Sequence, residues 1–69
     1  GWCMCGEVGL SGEVRPVARL EQRIAEAEKL GFQHIIVPAY NMKNIDTKKY
    51  KIELHPVRKV EGALRTLFG

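Results

Sequence analysis

LEQRIAEAEKLGFQHIIVP, residues 20–38, changes its hydrophobic period once, and that change decides the fold. Leu20, Ile24, Ala27 and Leu30 recur at intervals of four, three and three, while Glu21, Gln22, Arg23, Glu26, Glu28 and Lys29 fill the positions between them. One apolar stripe on a charged cylinder predicts an amphipathic helix over residues 18–30. Gly31 follows where a left-handed residue is wanted to end it. His34-Ile35-Ile36-Val37 then forms a continuous run, suited to a strand over residues 32–38 that is covered on both faces. The helix start is less orthodox. Ala18 is a poor cap and Arg19 sets a cation at the positive end of the dipole, so the cap is expected from elsewhere, or Arg19 holds an anion there.

Working outward, residues 2–8 are rich in strand formers and read as a strand ending near Gly9. Residues 14–17 begin a second, with Pro16 marking an edge or an end. Gly9 and Gly12 are expected to supply the positive φ angles of a tight turn, which makes GEVGLSGEV, residues 6–14, a hairpin. Strand, helix and strand in this order form a crossover that places both strands in one mixed sheet. Beyond Pro38, Asn41 suits the N-cap of a single helical turn over residues 42–45. Residues 51–57 alternate Ile52, Leu54 and Pro56 with Lys51, Glu53 and His55, giving a further strand. Val60, Ala63, Leu64 and Leu67 share one face of a last helix over residues 58–68. The expected architecture is α/β (α+β), a small mixed sheet with two amphipathic helices in the order β-β-α-β-β-α.

With 69 residues the chain fits one small domain whose core is marginal by itself. It begins at Gly1 and its first methionine, Met4, falls inside a predicted strand, so residues 1–69 are expected to be a fragment of a longer protein. No apolar run approaches the roughly 20 residues of a membrane span, and no basic region precedes an apolar one at the N-terminus. A cytoplasmic location and no membrane partner are expected. Cys3 and Cys5 lie two apart on one strand face, about 7 Å between Cα atoms, which is long for a disulfide. They read as free, buried thiols. A zinc site joining them to His34 and His55 matches no ligand spacing of known metal motifs.

Charge is unevenly placed. Residues 1–42 carry four cations against five anions, and residues 43–69 carry seven against three, densest in NMKNIDTKKYK, residues 41–51. Such a cluster can meet phosphates or serve as a solvated surface. The glycines do not form a phosphate loop. Glu13-Val14 stands after Gly12 where a Walker loop needs lysine and a hydroxyl, and Gly6, Gly9 and Gly12 miss the dinucleotide spacing. Gly9-Leu10-Ser11-Gly12 is one residue short of a nucleophile elbow and leads into a strand, so Ser11 is a turn residue. His34 in a strand and His55 before a proline read as structural. Alone, the residues describe a small module without catalytic apparatus.

The run GEVGLSGEVRPVARLEQRIAEAEKLGFQHIIVPAYN, residues 6–41, resembles the C-terminal, Lon-protease-like domain of the RadA (Sms) family of bacterial DNA repair proteins, and Ile52-Glu53-Leu54-His55-Pro56-Val57 continues the match. More distantly it is similar to the proteolytic domain of Lon, which uses a serine and a lysine. Counted from the shared proline, the place of that lysine is held here by Glu21. A carboxylate on an exposed helix face lacks the pKa and the partner to take a serine proton. The resemblance therefore implies a protease-derived scaffold without peptidase chemistry, in a parent that acts in homologous recombination and branch migration. It also implies a hexameric ring and a parent that binds ATP, magnesium and zinc, with no cofactor in this fragment. Its expected partner is duplex or branched DNA, met through Arg15, Arg19, Arg23, Lys43, Lys48 and Lys49. A fragment of a true Lon-type peptidase and a protein-interaction module without DNA binding are the alternatives.

Overall fold

The computed structural model describes the backbone of residues 1–69 and every side chain except that of Asn44. Along the chain run β1 (Trp2–Met4), β2 (Glu7–Val8), β3 (Val14–Arg15), α1 (Leu20–Lys29), β4 (His34–Pro38), β5 (Glu53–Val57) and α2 (Val60–Phe68). Two 3-10 segments, Ala39–Asn44 and Thr47–Lys49, lie between β4 and β5. The α/β class and the two amphipathic helices stand as expected. The strands sort by direction into two sheets. β1, β4 and β5 form a parallel sheet in the order β1-β4-β5, and β2 with β3 forms a separate antiparallel ribbon.

The predicted strand over residues 2–8 is thus divided between the two sheets. Cys5 still donates its N–H to the Ile36 carbonyl at 2.9 Å, and the chain then leaves the parallel sheet at Gly6. A Cβ at Gly6 would lie 2.9 Å from Val14 Cγ1 and 3.4 Å from Pro38 Cγ, so only glycine lets the backbone pass this close to both. At the hairpin tip Gly12 has φ 80° and donates its N–H to the Gly9 carbonyl at 3.0 Å. Gly9 itself does not take a positive φ, contrary to expectation; its missing Cβ makes room for the Glu13 carboxylate.

Pleating assigns the sheet residues to two faces. On one, Ile35 and Val37 are buried with Ile52 against Leu20, Ile24 and Ala27 of α1, joined by Cys3 and Leu54. On the other, Ile36 and Val57 are buried with Val14 of the ribbon and Ala63 of α2. A parallel crossover is present, but it is β1–α1–β4: the strand just before the helix, β3, pairs with β2 in the ribbon, and β1 takes the place beside β4 that the sequence assigns to residues 14–17. The run 35–37 is covered on both sides.

Three local expectations are corrected. Leu30 was expected in the buried stripe, but it takes the C-cap and is 77% exposed, because the chain reverses at Gly31, φ 93°. Phe32 packs on the core instead. Asn41 does not cap a helix. The 3-10 segment Ala39–Asn44 has Pro38 at its N-cap, and the Asn41 carboxamide grips Val17, accepting its N–H at 3.0 Å and donating to its carbonyl at 3.1 Å. In α2, Leu64 and Leu67 were expected to share the buried face with Ala63. The helix instead seats its small side, Gly62 and Ala63, toward Val57, leaving Leu64, Leu67 and Phe68 exposed. Among the described residues, no helix is long and apolar enough to cross a membrane.

Candidate functional site

A groove runs between the start of α1 and the segment Ala39–Asn44, lined by Val17, Arg19, Leu20, Glu21, Tyr40, Asn41 and Ile45. Its walls are fixed by two local features. The Asn41 carboxamide ties one wall to Val17, and Arg19 at the head of the other adopts φ 57°, alone among the described non-glycine residues in having a positive φ. That pose breaks the backbone direction just before Leu20, and no side chain caps the helix. The expected external cap is therefore not found. Arg19 lines the groove at the uncapped start of α1, the end of a helix where an anion is favoured.

Past the groove the chain follows the acidic side of α1. The Lys51 amide donates to a Glu28 carboxylate oxygen. Tyr50 packs there too; burial, and then the charges of Glu21, Glu28 and Asp46, push its hydroxyl above the ordinary tyrosine value. Asp46 accepts the Lys48 N–H at 3.1 Å and starts the short turn that carries Lys48 and Lys49.

The six cations expected to meet DNA are thus distributed unequally. Arg19 lines the groove, Lys43 belongs to the segment forming its wall, and Lys48 and Lys49 follow Ile45 within four residues. Arg23 lies one turn along α1, sharing a shallow surface with Arg19, Gln22 and Glu26 while its Nε donates to the Ala18 carbonyl at 3.4 Å. Arg15 stands apart on the ribbon. Its guanidinium binds Glu13 at 3.0 Å, and hydrogen bonds from the Glu13 and Ser11 amides and from Arg15 hold the Glu13 carboxyl below the ordinary carboxylate range. Among the described residues, Arg19, Arg23, Lys43, Lys48 and Lys49 have no carboxylate within salt-bridge distance.

Ser11, the only serine, sits at the exposed hairpin tip with its amide on Glu13. Cys3 and Cys5 are free thiols, as expected, but half-buried and not buried, beside Arg23, Glu26 and Ala27. Burial, followed by the neighbouring Cys5, raises the pKa of Cys3; burial raises Cys5 as well, with Arg23 opposing. Both therefore stay protonated at neutral pH.

The pleat separates those thiols from the histidines. Trp2, His34, Glu53 and His55 come together on the opposite face, at the N-terminal ends of β1, β4 and β5. Trp2 stacks on His34 with centroids 4.2 Å apart and planes at 12°, and lies 4.6 Å from His55. His34 and His55 thus lie with Glu53 and not with the cysteines. The alternation of Glu53 and His55 on β5 was visible, but their pairing with His34 needs the register of two parallel strands.

The family model describing the Lon protease (S16) C-terminal proteolytic domain matches residues 1–69. The chain is 54% identical over 67 residues, 97% of its length, to the DNA repair protein RadA of Bacillus subtilis. It is 44% identical over 67 residues to the RadA of Streptococcus pneumoniae, and 45% identical over 64 residues, 93% of its length, to that of Halalkalibacterium halodurans. It spans 14%, 16% and 14% of those three relatives, in that order.

Proposed function

The chain belongs to the family of Lon protease C-terminal proteolytic domains, and from that premise we propose that it is the Lon-like C-terminal domain of a RadA-type DNA repair protein, acting as a non-catalytic scaffold that contacts DNA. The observation that carries this reading is the likeness to proteins named DNA repair protein RadA over 97% of the chain, at 54% identity in one case. The parent ring, its recombination chemistry and its ATP, magnesium and zinc belong to this proposal as expectations about segments outside the 69 residues.

Loss of peptidase chemistry is supported by Glu21. It is exposed on α1 and lines the groove, and by the resemblance to Lon it takes the place of the protease's lysine. An ionised carboxylate there offers no amine to accept a serine proton. DNA contact is supported by the unpaired cations around the groove and by Tyr40, 65% exposed, which lines the groove with Arg19. Phosphates would meet Arg19, Lys43, Lys48 and Lys49, with Arg23 at the margin and Arg15 contributing least because Glu13 already engages it. Exposed Leu64, Leu67 and Phe68 of α2 give such a domain an apolar face suited to packing within a ring.

The expected result with purified chain is duplex binding that weakens steeply as salt rises. Serine-dependent cleavage of an unfolded protein by the chain with its upstream sequence restored would instead support the peptidase alternative. Salt-independent or absent duplex binding would favour the interaction module.

A further inference from the structure

His34, Glu53 and His55 bring three ligand atoms to one point on the α2 face of the parallel sheet, and the geometry points to a binding site for a zinc-class divalent cation. His34 Nδ1 lies 3.2 Å from His55 Nε2 and 3.0 Å from a Glu53 carboxylate oxygen, and His55 Nε2 lies 3.7 Å from the same oxygen. Ligands at zinc bond lengths in a tetrahedral shell stand about 3.3 Å from one another. The three observed separations bracket that edge, so a cation at their centre needs only small side-chain movement. A proton on His34 Nδ1 can be aimed well at one of its two neighbours, whereas a cation engages all three atoms at once.

The supports are built in by the fold. Glu53 and His55 are two apart on β5, hence on one face, and the parallel register sets His34 opposite Glu53. Stacking on Trp2 holds the His34 ring in its plane, the kind of orientation that tunes metal ligands. The Glu53 side chain is 64% exposed, so water completes a fourth position from the solvent side. Two imidazoles and one carboxylate select zinc and its neighbours over magnesium and calcium, which prefer oxygen shells. The bound ion would staple β4 to β5 in a domain short of internal staples.

The test uses the full chain, freed of metal by a chelator and titrated with Zn2+, Co2+ and Mg2+. Trp2, the only tryptophan, reports binding by its fluorescence, and Co2+ adds visible d–d bands that reveal its ligands. The expected result is one Zn2+ per chain, a higher melting temperature with Zn2+, and no response to Mg2+. Glu53→Gln, His34→Gln and His55→Gln should each weaken Zn2+ at least about tenfold, while Cys3→Ser with Cys5→Ser should leave it unchanged. Thermal melts of the metal-free variants show whether each is folded, and Glu53→Gln, at an exposed side chain, is the variant least exposed to that objection. Unchanged affinity in Glu53→Gln, thiolate-to-cobalt bands, or no Zn2+ binding would overturn the site.

Discussion

Ile24→Ala is expected to destabilise the chain by about 2–5 kcal/mol, enough to leave much of so small a domain unfolded. Ile24 is 0% exposed and lies at the middle of α1, between Leu20 and Ala27 and against the sheet face of Ile35 and Val37. Truncation removes the apolar transfer energy of three carbons and leaves a hole that a short helix cannot close by shifting, because both of its ends are held. Its C-terminus is fixed by the Gly31 reversal and its N-terminus by the Val17–Asn41 contacts. Alanine's higher helix propensity returns only a few tenths of a kcal/mol. Ile24→Val should cost about 0.5–1.5 kcal/mol, and Leu30→Ala, on the exposed end of the same sequence stripe, less than about 0.5. Urea titrations followed by circular dichroism give the order. Equal losses at Ile24 and Leu30 would contradict the assignment of the buried face.

Asn41→Ala should follow, at about 1–3 kcal/mol for each Val17 group left without a partner. The carboxamide supplies a donor and an acceptor to the same residue, in a part-buried setting, across 24 residues of chain. Pro16 has already interrupted the backbone pairing of this stretch, which ends with β3 at Arg15. The diagnostic readout is local: the Val17 amide should exchange faster with solvent by a larger factor than amides of β4. Retained protection at Val17 together with an unchanged melting temperature would show that the two contacts do not form in solution. The groove depends on this clamp, so the same variant should also weaken whatever binds between Arg19 and Tyr40.

Residues 20–38 made the crossover legible because their period change is local and strong. Gly31, the run 35–37 and the hairpin around Gly12 each took the place that backbone sterics required. What was not legible depends on partners distant in sequence. The break at Gly6 reflects the approach of Val14 and Pro38, and nothing in residues 2–8 signals it. Leu64 and Leu67 belong to a true amphipathic stripe, but a stripe does not say how much of it the same chain covers. At the candidate site, the basic run 43–49 was visible as charge, while the pairing of Arg15 with Glu13 and the groove made by Asn41 required coordinates. The histidine cluster needed one more fact, the register that sets His34 against Glu53.

The central claim is that this protease-type scaffold contacts DNA through the cations bordering the groove. Its most direct test is fluorescence anisotropy of a labelled duplex titrated with wild-type chain and with Lys43→Glu/Lys48→Glu/Lys49→Glu over a range of salt concentrations. If the three lysines meet phosphates, the reversal weakens binding and lowers the slope of log affinity against log salt by roughly 2.7, at about 0.9 per contact. Arg15→Glu, whose guanidinium already faces Glu13, should change the slope far less. Wild-type affinity and slope in the triple variant would contradict the claim.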